Sequence, residues 1–376
     1  MHILFIQTQP SQLDAPFFSQ LYARTGGKVS VAILNNLMER SDIDVELGFK
    51  PIFPKFDSQV FLNVFGCGIY GVIKLFLYVC RCRPELIVVQ DQSWLEKFFI
   101  CFFCKLLKIN VAIRSDKNSI STGAKFGFSL LIERYIVRNL FDIYVPVSHL
   151  TTDYYGWKYD EVISLPYLTQ EQKFYPTFNA KLIRHEIRNL LKIDKNATVF
   201  LAVTKFVERE NPLALLKAFF ILQKKPSKKT VELILIGAGE LEPILKNYVL
   251  VNDVKNVHFL GYIPFDSLQK YYFSSDVFLH FAHSEPWGVS PQDALVSGLG
   301  LITSNKVGSG LCFLKDNLSK YLVDSSDEIN AANLMYELIQ RPHAIKNFLS
   351  AWTMARENFT VNPIVDNWIN RFKLLD

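Results

Sequence analysis

The feature that most constrains this chain is a rhythm that runs twice. Short apolar runs alternate with longer helical ones, pause, and alternate again. "HILFIQ" reads as a buried strand and the segment from Ala15 to Arg24 as a helix. "VSVAILN", "RPELIVVQ", "INVAIRS" and "DIYVPVS" read as further strands, separated by the apolar helix "GIYGVIKLFLYVCRC" and by helices around 93–107 and 126–140. Such β-α-β repetition specifies a parallel sheet with helices on both faces. The pause is "PYLTQEQKFYPTFNAK", residues 166–181, where two prolines and polar residues interrupt the pattern. The alternation then restarts with the strand "TVFLAVT" and the helix "PLALLKAFFILQKK", which has Pro212 in its first turn. "VELILIG", "VHFLGY", "DVFLHFA" and "GLGLITS" continue it as strands. A chain of 376 residues exceeds what one hydrophobic core usually serves. The expectation is an α/β protein of two Rossmann-like, doubly wound domains facing a cleft. Residues 1–170 form the N-terminal domain and 171–376 the C-terminal one, with the last helix able to pack back on the first. In open parallel sheets ligands bind beyond the carboxyl ends of strands.

Composition narrows the classes. Hydrophobic residues make up 49% and charged residues 20%, which excludes a disordered chain. The formal charge of +5 suits an anionic substrate or a membrane surface, and no nucleic-acid partner is expected. Six cysteines stand at 67, 80, 82, 101, 104 and 312. The Cys101-x-x-Cys104 pair lacks a second pair at zinc spacing, so reduced thiols in an apolar helix are expected. "MHILFIQT" lacks a basic leader region, and a cytoplasmic chain is expected. "FFICFFCKLL", residues 98–107, falls short of the ~20 residues that a membrane span needs. It reads as a helix packed on a sheet, with peripheral attachment to the inner face of a membrane left open.

The most informative stretch is "HSEPWGVSPQDALVSGLGLITS", residues 283–304. Pro286 biases Glu285 toward an extended backbone at the strand mouth. Gly288 permits close backbone approach. Ser290-Pro291-Gln292-Asp293 opens a helix, with Ser290 suited to the N-cap and Asp293 to the third position of a capping box. The helix ends at Gly298. Its N-terminal amides, from Gly288 and Val289 onward, suit a phosphate. Asp293 has two readings, a helix cap or an acceptor for a ribose diol.

Glu285-Pro-Trp-Gly followed by Asp293, Ala294, Leu295 and Ser297-Gly298 resembles the E-x7-E region of family 4 glycosyltransferases. The resemblance extends in order through "GAGELEP" (237–243), "HFLGYIPFDSLQKYYFSSDVFLHFAHSEP" (258–286) and "LITSNKVGS" (301–309). It implies a retaining enzyme of the GT-B fold that uses a nucleotide diphosphate sugar of UDP or GDP type. It implies that Glu285 contacts the donor sugar and Asp293 the ribose, although Asp is one methylene shorter than the family's Glu. "FLAVTKFVERENP", 200–212, resembles the family's diphosphate loop. Lys205 fills the first basic place, but Glu210 holds the second, with Arg209 beside it. Positive charge there stabilises the leaving group, and Arg209 suits a bidentate contact; the alternative is that Glu208, Arg209 and Glu210 are a solvated charge run. Gly237 borders the nucleotide by the same resemblance, and backbone groups of Tyr262 and Ile263 lie near the base.

The N-terminal half is less legible. "QPSQLDAPFF" looks like the opening of polysaccharide-building members of the family, which places Asp14 on the acceptor side. "VAIRSDKNS", 111–119, ends a strand where many members carry a histidine. Either Arg114 meets a polar acceptor while Asp116 orients a hydroxyl, or Arg114 and Asp116 are a buried structural pair. His2, His149 and His283 are isolated and read as packed or surface residues. No HxxxH or paired-ligand spacing occurs and the single DxD is Asp42-Ile43-Asp44, so neither a metal nor a cofactor is expected. The resulting expectation is a hexosyltransferase that moves a sugar to a saccharide acceptor, possibly lipid-linked, in bacterial surface polysaccharide (capsule or lipopolysaccharide O-antigen) synthesis. A catalytically inactive binding or scaffold relative and a sugar-nucleotide epimerase stay open as rivals.

Overall fold

The computed structural model describes residues 1–7, 13–33, 61–64, 69–90, 94–122, 128–155 and 162–374. The end of the strand "VSVAILN", Cys67, residues 126–127 of the expected helix and the start of "QPSQLDAPFF" lie outside the described residues. The chain divides into two compact units, Met1–Leu168 with Thr360–Asp376, and Thr169–Phe359.

The first unit is built on a parallel sheet of order β3-β2-β1-β4-β5-β6. Its strands are β1 (Ile3–Gln7), β2 (Val29–Ile33), β3 (Phe61–Val64), β4 (Leu86–Gln90), β5 (Asn110–Ser115) and β6 (Ile143–Pro146). β1 is buried along its whole length, so successive side chains feed opposite faces of the sheet. Ile3 and Phe5 face α1 (Ala15–Arg24) and the C-terminal helix Val361–Phe372. Leu4 and Ile6 face a layer containing α2 (Ile69–Cys82), α3 (Trp94–Leu106) and α4 (Phe128–Leu140). The sequence grouped 171–376 as one domain while allowing the last helix to pack back, and residues 360–376 do belong to the first unit. The cause is apolar: Val361, Ile364, Val365, Trp368 and Ile369 complete the layer over Phe5, Phe17 and Phe18. The Trp368 ring lies 5.3 Å from that of Phe5 and 5.6 Å from that of Phe17.

The second unit has a parallel sheet of order β12-β11-β10-β7-β8-β9. Its strands are β7 (Thr198–Val203), β8 (Val231–Ile236), β9 (Val257–Phe259), β10 (Val277–His280), β11 (Gly300–Ser304) and β12 (Leu322–Val323). Its helices include α5 (Ala180–Leu190), α6 (Pro212–Gln223), α7 (Glu242–Val251), α8 (Phe265–Ser274) and α9 (Val289–Val296). Successive connections carry the chain outward from β7 to β9, then back to β10 on the other side of β7. The neighbours β7 and β10 therefore mark a topological switch point, the place where open parallel sheets bind ligands beyond the strands' carboxyl ends. Among the described residues no helix is long and apolar enough to cross a membrane. The described cysteines are free thiols, with Cys101 and Cys104 buried in α3.

Candidate functional site

Every motif singled out in the second unit lies just beyond a strand's carboxyl end. Thr204 to Glu210 follow β7, Gly237 and Gly239 follow β8, Gly261 to Ile263 follow β9, and Phe281 to Gly288 follow β10. Backbone shape holds these loops close together. A Cβ at Gly237 would come within 1.8 Å of the Thr204 carbonyl oxygen, and one at Gly239 within 2.4 Å of that of Phe206. The two glycines, with φ of +148° and +157°, let the β7 and β8 loops touch. The Gly237 amide also donates to the Gly261 carbonyl at 2.9 Å, which brings in the β9 loop. Beyond it Tyr262 is exposed and Ile263 half-buried.

The Glu285 loop is laced to the loop after β11. The Glu285 amide donates to Lys306 O at 2.9 Å, Gly308 N to Glu285 O at 3.0 Å, and Ser309 N to Trp287 O at 2.7 Å. Trp287 is the anchor beneath. It is buried, stacks on Phe359 with centroids 5.2 Å apart, and donates from Nε1 to Gln292 Oε1 at 2.8 Å. Gly288, at φ +89°, turns the chain into α9, whose amino terminus starts here. The buried Ser309 hydroxyl has no hydrogen-bond partner, and a Cβ at Gly288 would lie 3.2 Å from it.

The structure corrects the reading of the helix start. Gly288, not Ser290, occupies the N-cap, so Asp293 sits in the second turn and makes no capping bond. Asp293 is instead buried, with Oδ1 accepting from Thr169 Oγ1 at 2.5 Å. Burial pushes its pKa up to about 7, against the lowering effect of the Thr169 hydrogen bond. Among the described residues Oδ2 carries no hydrogen bond.

A charged cluster sits at the switch point. Arg209 donates from Nη1 to Glu285 Oε2 at 2.5 Å and to Ser284 O at 2.9 Å, and from Nη2 to Glu210 Oε1 at 2.5 Å. Burial alone lowers the Arg209 pKa, but the hydrogen bond and charge of Glu285, with the charge of Glu210, outweigh it and the net shift is upward. Glu210 is buried and also accepts from Thr204 Oγ1 at 3.1 Å. Arg209 and Glu210 are therefore not part of a solvated charge run, whereas Glu208 is exposed. Lys205 is exposed on the same loop, with no side-chain partner among the described residues.

His280, the last residue of β10, is a group that sequence reasoning missed. It is buried, neither ring nitrogen has a partner, and Nε2 lies 3.6 Å from Glu210 Oε2. Burial depresses its pKa despite the nearby Glu210 and Glu285 charges, so the ring is neutral. The signal was present in "DVFLHFA", where one titratable residue interrupts a buried strand. Glu210, His280 and Glu285 each offer a ligand atom within 4.8 Å of the others, a grouping that the spacing rules did not reveal. The Arg209 guanidinium already spans both carboxylates, so the cluster carries its own cation. His283 is exposed and bonds Ser325 Oγ at 2.9 Å through Nδ1.

The first unit departs further from expectation. Arg114 is buried and fully engaged: Nη1 donates to Asp14 Oδ2 at 2.7 Å, Nε to Leu165 O at 3.1 Å, and Nη2 to Pro166 O at 3.3 Å. The buried pair is Arg114–Asp14 rather than Arg114–Asp116, and it ties down the segment before Thr169. Asp14 also accepts from Gln7 Nε2 at 2.9 Å and is wholly buried, which removes it from direct contact with an acceptor. Asp116 instead accepts from the Tyr167 hydroxyl at 2.8 Å.

Residues 183–351 match the family model described as "Glycosyl transferases group 1". No curated protein sequence matches the chain significantly. Three solved structures show the likeness of fold. HepE of Anabaena in complex with UDP has a TM-score of 0.74 at 14% identity over 99% of this chain and 100% of its own. Sucrose-phosphate synthase of Thermosynechococcus elongatus has 0.68 at 16% identity over 100% and 99%. The lipopolysaccharide outer core galactosyltransferase WaaB, in its apo form, has 0.66 at 12% identity over 99% of each. The fold is GT-B, two Rossmann-like domains with parallel sheets. The match over residues 183–351 to the group 1 model is the ground for classing the chain as a glycosyltransferase.

Proposed function

We propose that the chain is a retaining glycosyltransferase of the family 4 type that moves a sugar from a nucleotide diphosphate sugar to a saccharide acceptor. The observation that carries this reading is the Arg209–Glu285 contact at the switch point, beside the amino terminus of α9 in a group 1 domain. In this reading the diphosphate lies on the amides of Gly288 and Val289, facing Lys205 and Arg209. Charge that develops on the leaving diphosphate meets fixed donors and needs no metal. Glu285 binds the sugar hydroxyls. Asp293 offers Oδ2 to the ribose while Thr169 holds Oδ1. Tyr262 and Ile263 border the base, and Gly237 lets the nucleotide approach the sheet edge.

UDP is the base to test first, because HepE is bound to UDP and to UDP-glucose in its structures. A lipid-linked saccharide in surface polysaccharide synthesis is the acceptor class we propose, in keeping with the fold shared with WaaB. Asp116, beside Tyr167, is the acceptor-side residue that remains for orienting a hydroxyl. The altered loop does not argue for an inactive relative, because Arg209 supplies the cation that Glu210 does not.

Thermal unfolding with UDP, GDP, CMP and dTDP tests the donor reading. A ligand at ~100 times its Kd stabilises by about 2.7 kcal/mol. A midpoint rise with one diphosphate, reduced in Lys205→Ala, is expected. No rise with any of the four would refute the donor site and favour a binding protein that has lost catalysis.

A further inference from the structure

The outer surface of the first unit's helical layer is the least accounted-for part of the molecule. A surface helix normally shows one apolar stripe and one polar face. α3 does not. Ile100, Cys101 and Cys104 fill the buried side, while Phe99, Phe102, Phe103 and Leu106 are exposed by 41–65% on the other. The flanking helices add to the same surface. Ile73 and Leu77 of α2 are 49% and 62% exposed, and Leu131, Ile132 and Tyr135 of α4 are 63%, 44% and 70% exposed. α3 packs against both α2 and α4, and the rings of Phe76 and Phe103 lie 5.1 Å apart across the first junction. One continuous apolar surface results, of the kind that marks a binding face.

Charge says what covers it. Residues 69–142 hold eleven Lys and Arg against six Asp and Glu; Arg114 is buried against Asp14, which leaves ten against six, an excess of four positive charges. Lys74, Arg81, Lys108 and Arg138 are exposed around the apolar residues. Long basic side chains beside Phe and Leu can reach headgroups while the rings enter the acyl boundary. Two copies meeting through this face would bring like charges together, whereas an anionic bilayer is attracted to it. No described helix is long enough to span a membrane, so the mode is attachment and not insertion.

We propose that the α2–α3–α4 face of the first unit is a peripheral docking surface for an anionic lipid bilayer. The inference stands on this surface alone and does not depend on the donor chemistry of the second unit.

The test is flotation of the full chain with phosphatidylcholine vesicles, with or without about one-third phosphatidylglycerol. The parent is expected to float with the anionic vesicles and to lose that partitioning at high salt. Phe102→Ser combined with Leu106→Ser, and separately Arg81→Glu combined with Lys108→Glu, should each reduce it by on the order of tenfold. All four residues are exposed, so the thermal midpoint and any UDP-induced rise should stay as in the parent. A parent that remains unbound with every vesicle overturns the proposal, as does a serine pair that floats like the parent. A parent that ignores vesicles but sediments as a dimer, which the serine pair converts to monomer, assigns the face to self-association and also overturns it.

Discussion

Arg209 stands between two carboxylates with different surroundings, and this decides what Glu210 does. Glu285 is partly exposed at the loop mouth, whereas Glu210 is buried and braced by Thr204. Sequence comparison makes Glu210 look like a damaged phosphate loop; the geometry makes it the anchor of the neighbouring cation. Glu210→Gln keeps the shape and the Thr204 contact but removes the charge that fixes one arm of the guanidinium. Because Arg209 is half-exposed, solvent screens the pair, and a loss of about 1 kcal/mol is expected. In steady-state kinetics that is roughly a fivefold rise in donor KM with kcat little changed. Arg209→Lys should not substitute for the parent, since one ammonium cannot serve two separated carboxylates in fixed geometry. Unaltered donor kinetics in both variants would exclude Glu210 as an anchor. Asp293 gives a prediction in pH. Burial raises its carboxyl from 3.8 to about 7 in the folded state. Below about pH 4 both states hold the proton and the group costs nothing. As pH rises from about 4 to about 7 the unfolded chain releases its proton first, so stability falls, by an order-of-magnitude total of ~4 kcal/mol above pH 7. Asp293→Asn removes this slope and can still accept from Thr169. Urea unfolding at pH 5 and pH 8 should therefore show the variant gaining on the parent at the higher pH. Equal pH dependence in the two would contradict the buried carboxyl.

At the scale of elements, the loops after β10 and β11 act as one piece. Gly308 shows this most directly, because a Cβ there would lie 2.0 Å from the Pro286 carbonyl oxygen. Gly308→Ala must force the two loops apart, breaking the bonds from Gly308 to Glu285 and from Ser309 to Trp287. Overpacking of this kind costs on the order of 1–3 kcal/mol. Its larger effect should be on turnover, since displacing Glu285 by about 1 Å can cost on the order of a hundredfold. A Gly308→Ala enzyme with parental kcat would show that the loops are not coupled. Ten of the twelve described strands were legible as short apolar runs bounded by loop residues, whereas β3 and the two-residue β12 were not; the carboxyl-end placement of the motifs follows from a parallel sheet. The start of α9 was not legible. Ser290 and Asp293 fit a capping box by spacing, yet Gly288 at φ +89° begins the helix earlier. Pro291 is tolerated because amides of the first turn have no intrahelical partner to lose. The Arg114–Asp14 pair was equally hidden, since it joins residues 100 positions apart that only the sheet brings together.

At the scale of the whole molecule, the two-domain rhythm was readable because it depends on local periodicity, and the exact membership of each unit was not. The chain enters the second unit at Thr169 and leaves it at Phe359. An apolar stripe on the last helix says that it packs, and the sequence left open that it packs back on the first domain. Trp368 settles the matter by shape: it fills the space over Phe5 and Phe17, and its Nε1 donates to Ser164 O at 3.0 Å. Truncating a fully buried Trp removes its transfer free energy and leaves a cavity, together worth about 3–5 kcal/mol. Trp368→Ala should therefore weaken the first unit, visible as faster amide exchange in β1, α1 and the C-terminal helix. The loops we propose for the donor rest on the second unit's own core, in which Phe200, Phe278 and Leu301 are fully buried. UDP affinity by titration calorimetry should then stay within about twofold of the parent, a difference of ~0.4 kcal/mol. Loss of UDP binding in step with the loss of stability would mean that the nucleotide loops draw their order from the first unit, and the assignment of the donor site to residues 169–359 would have to be given up.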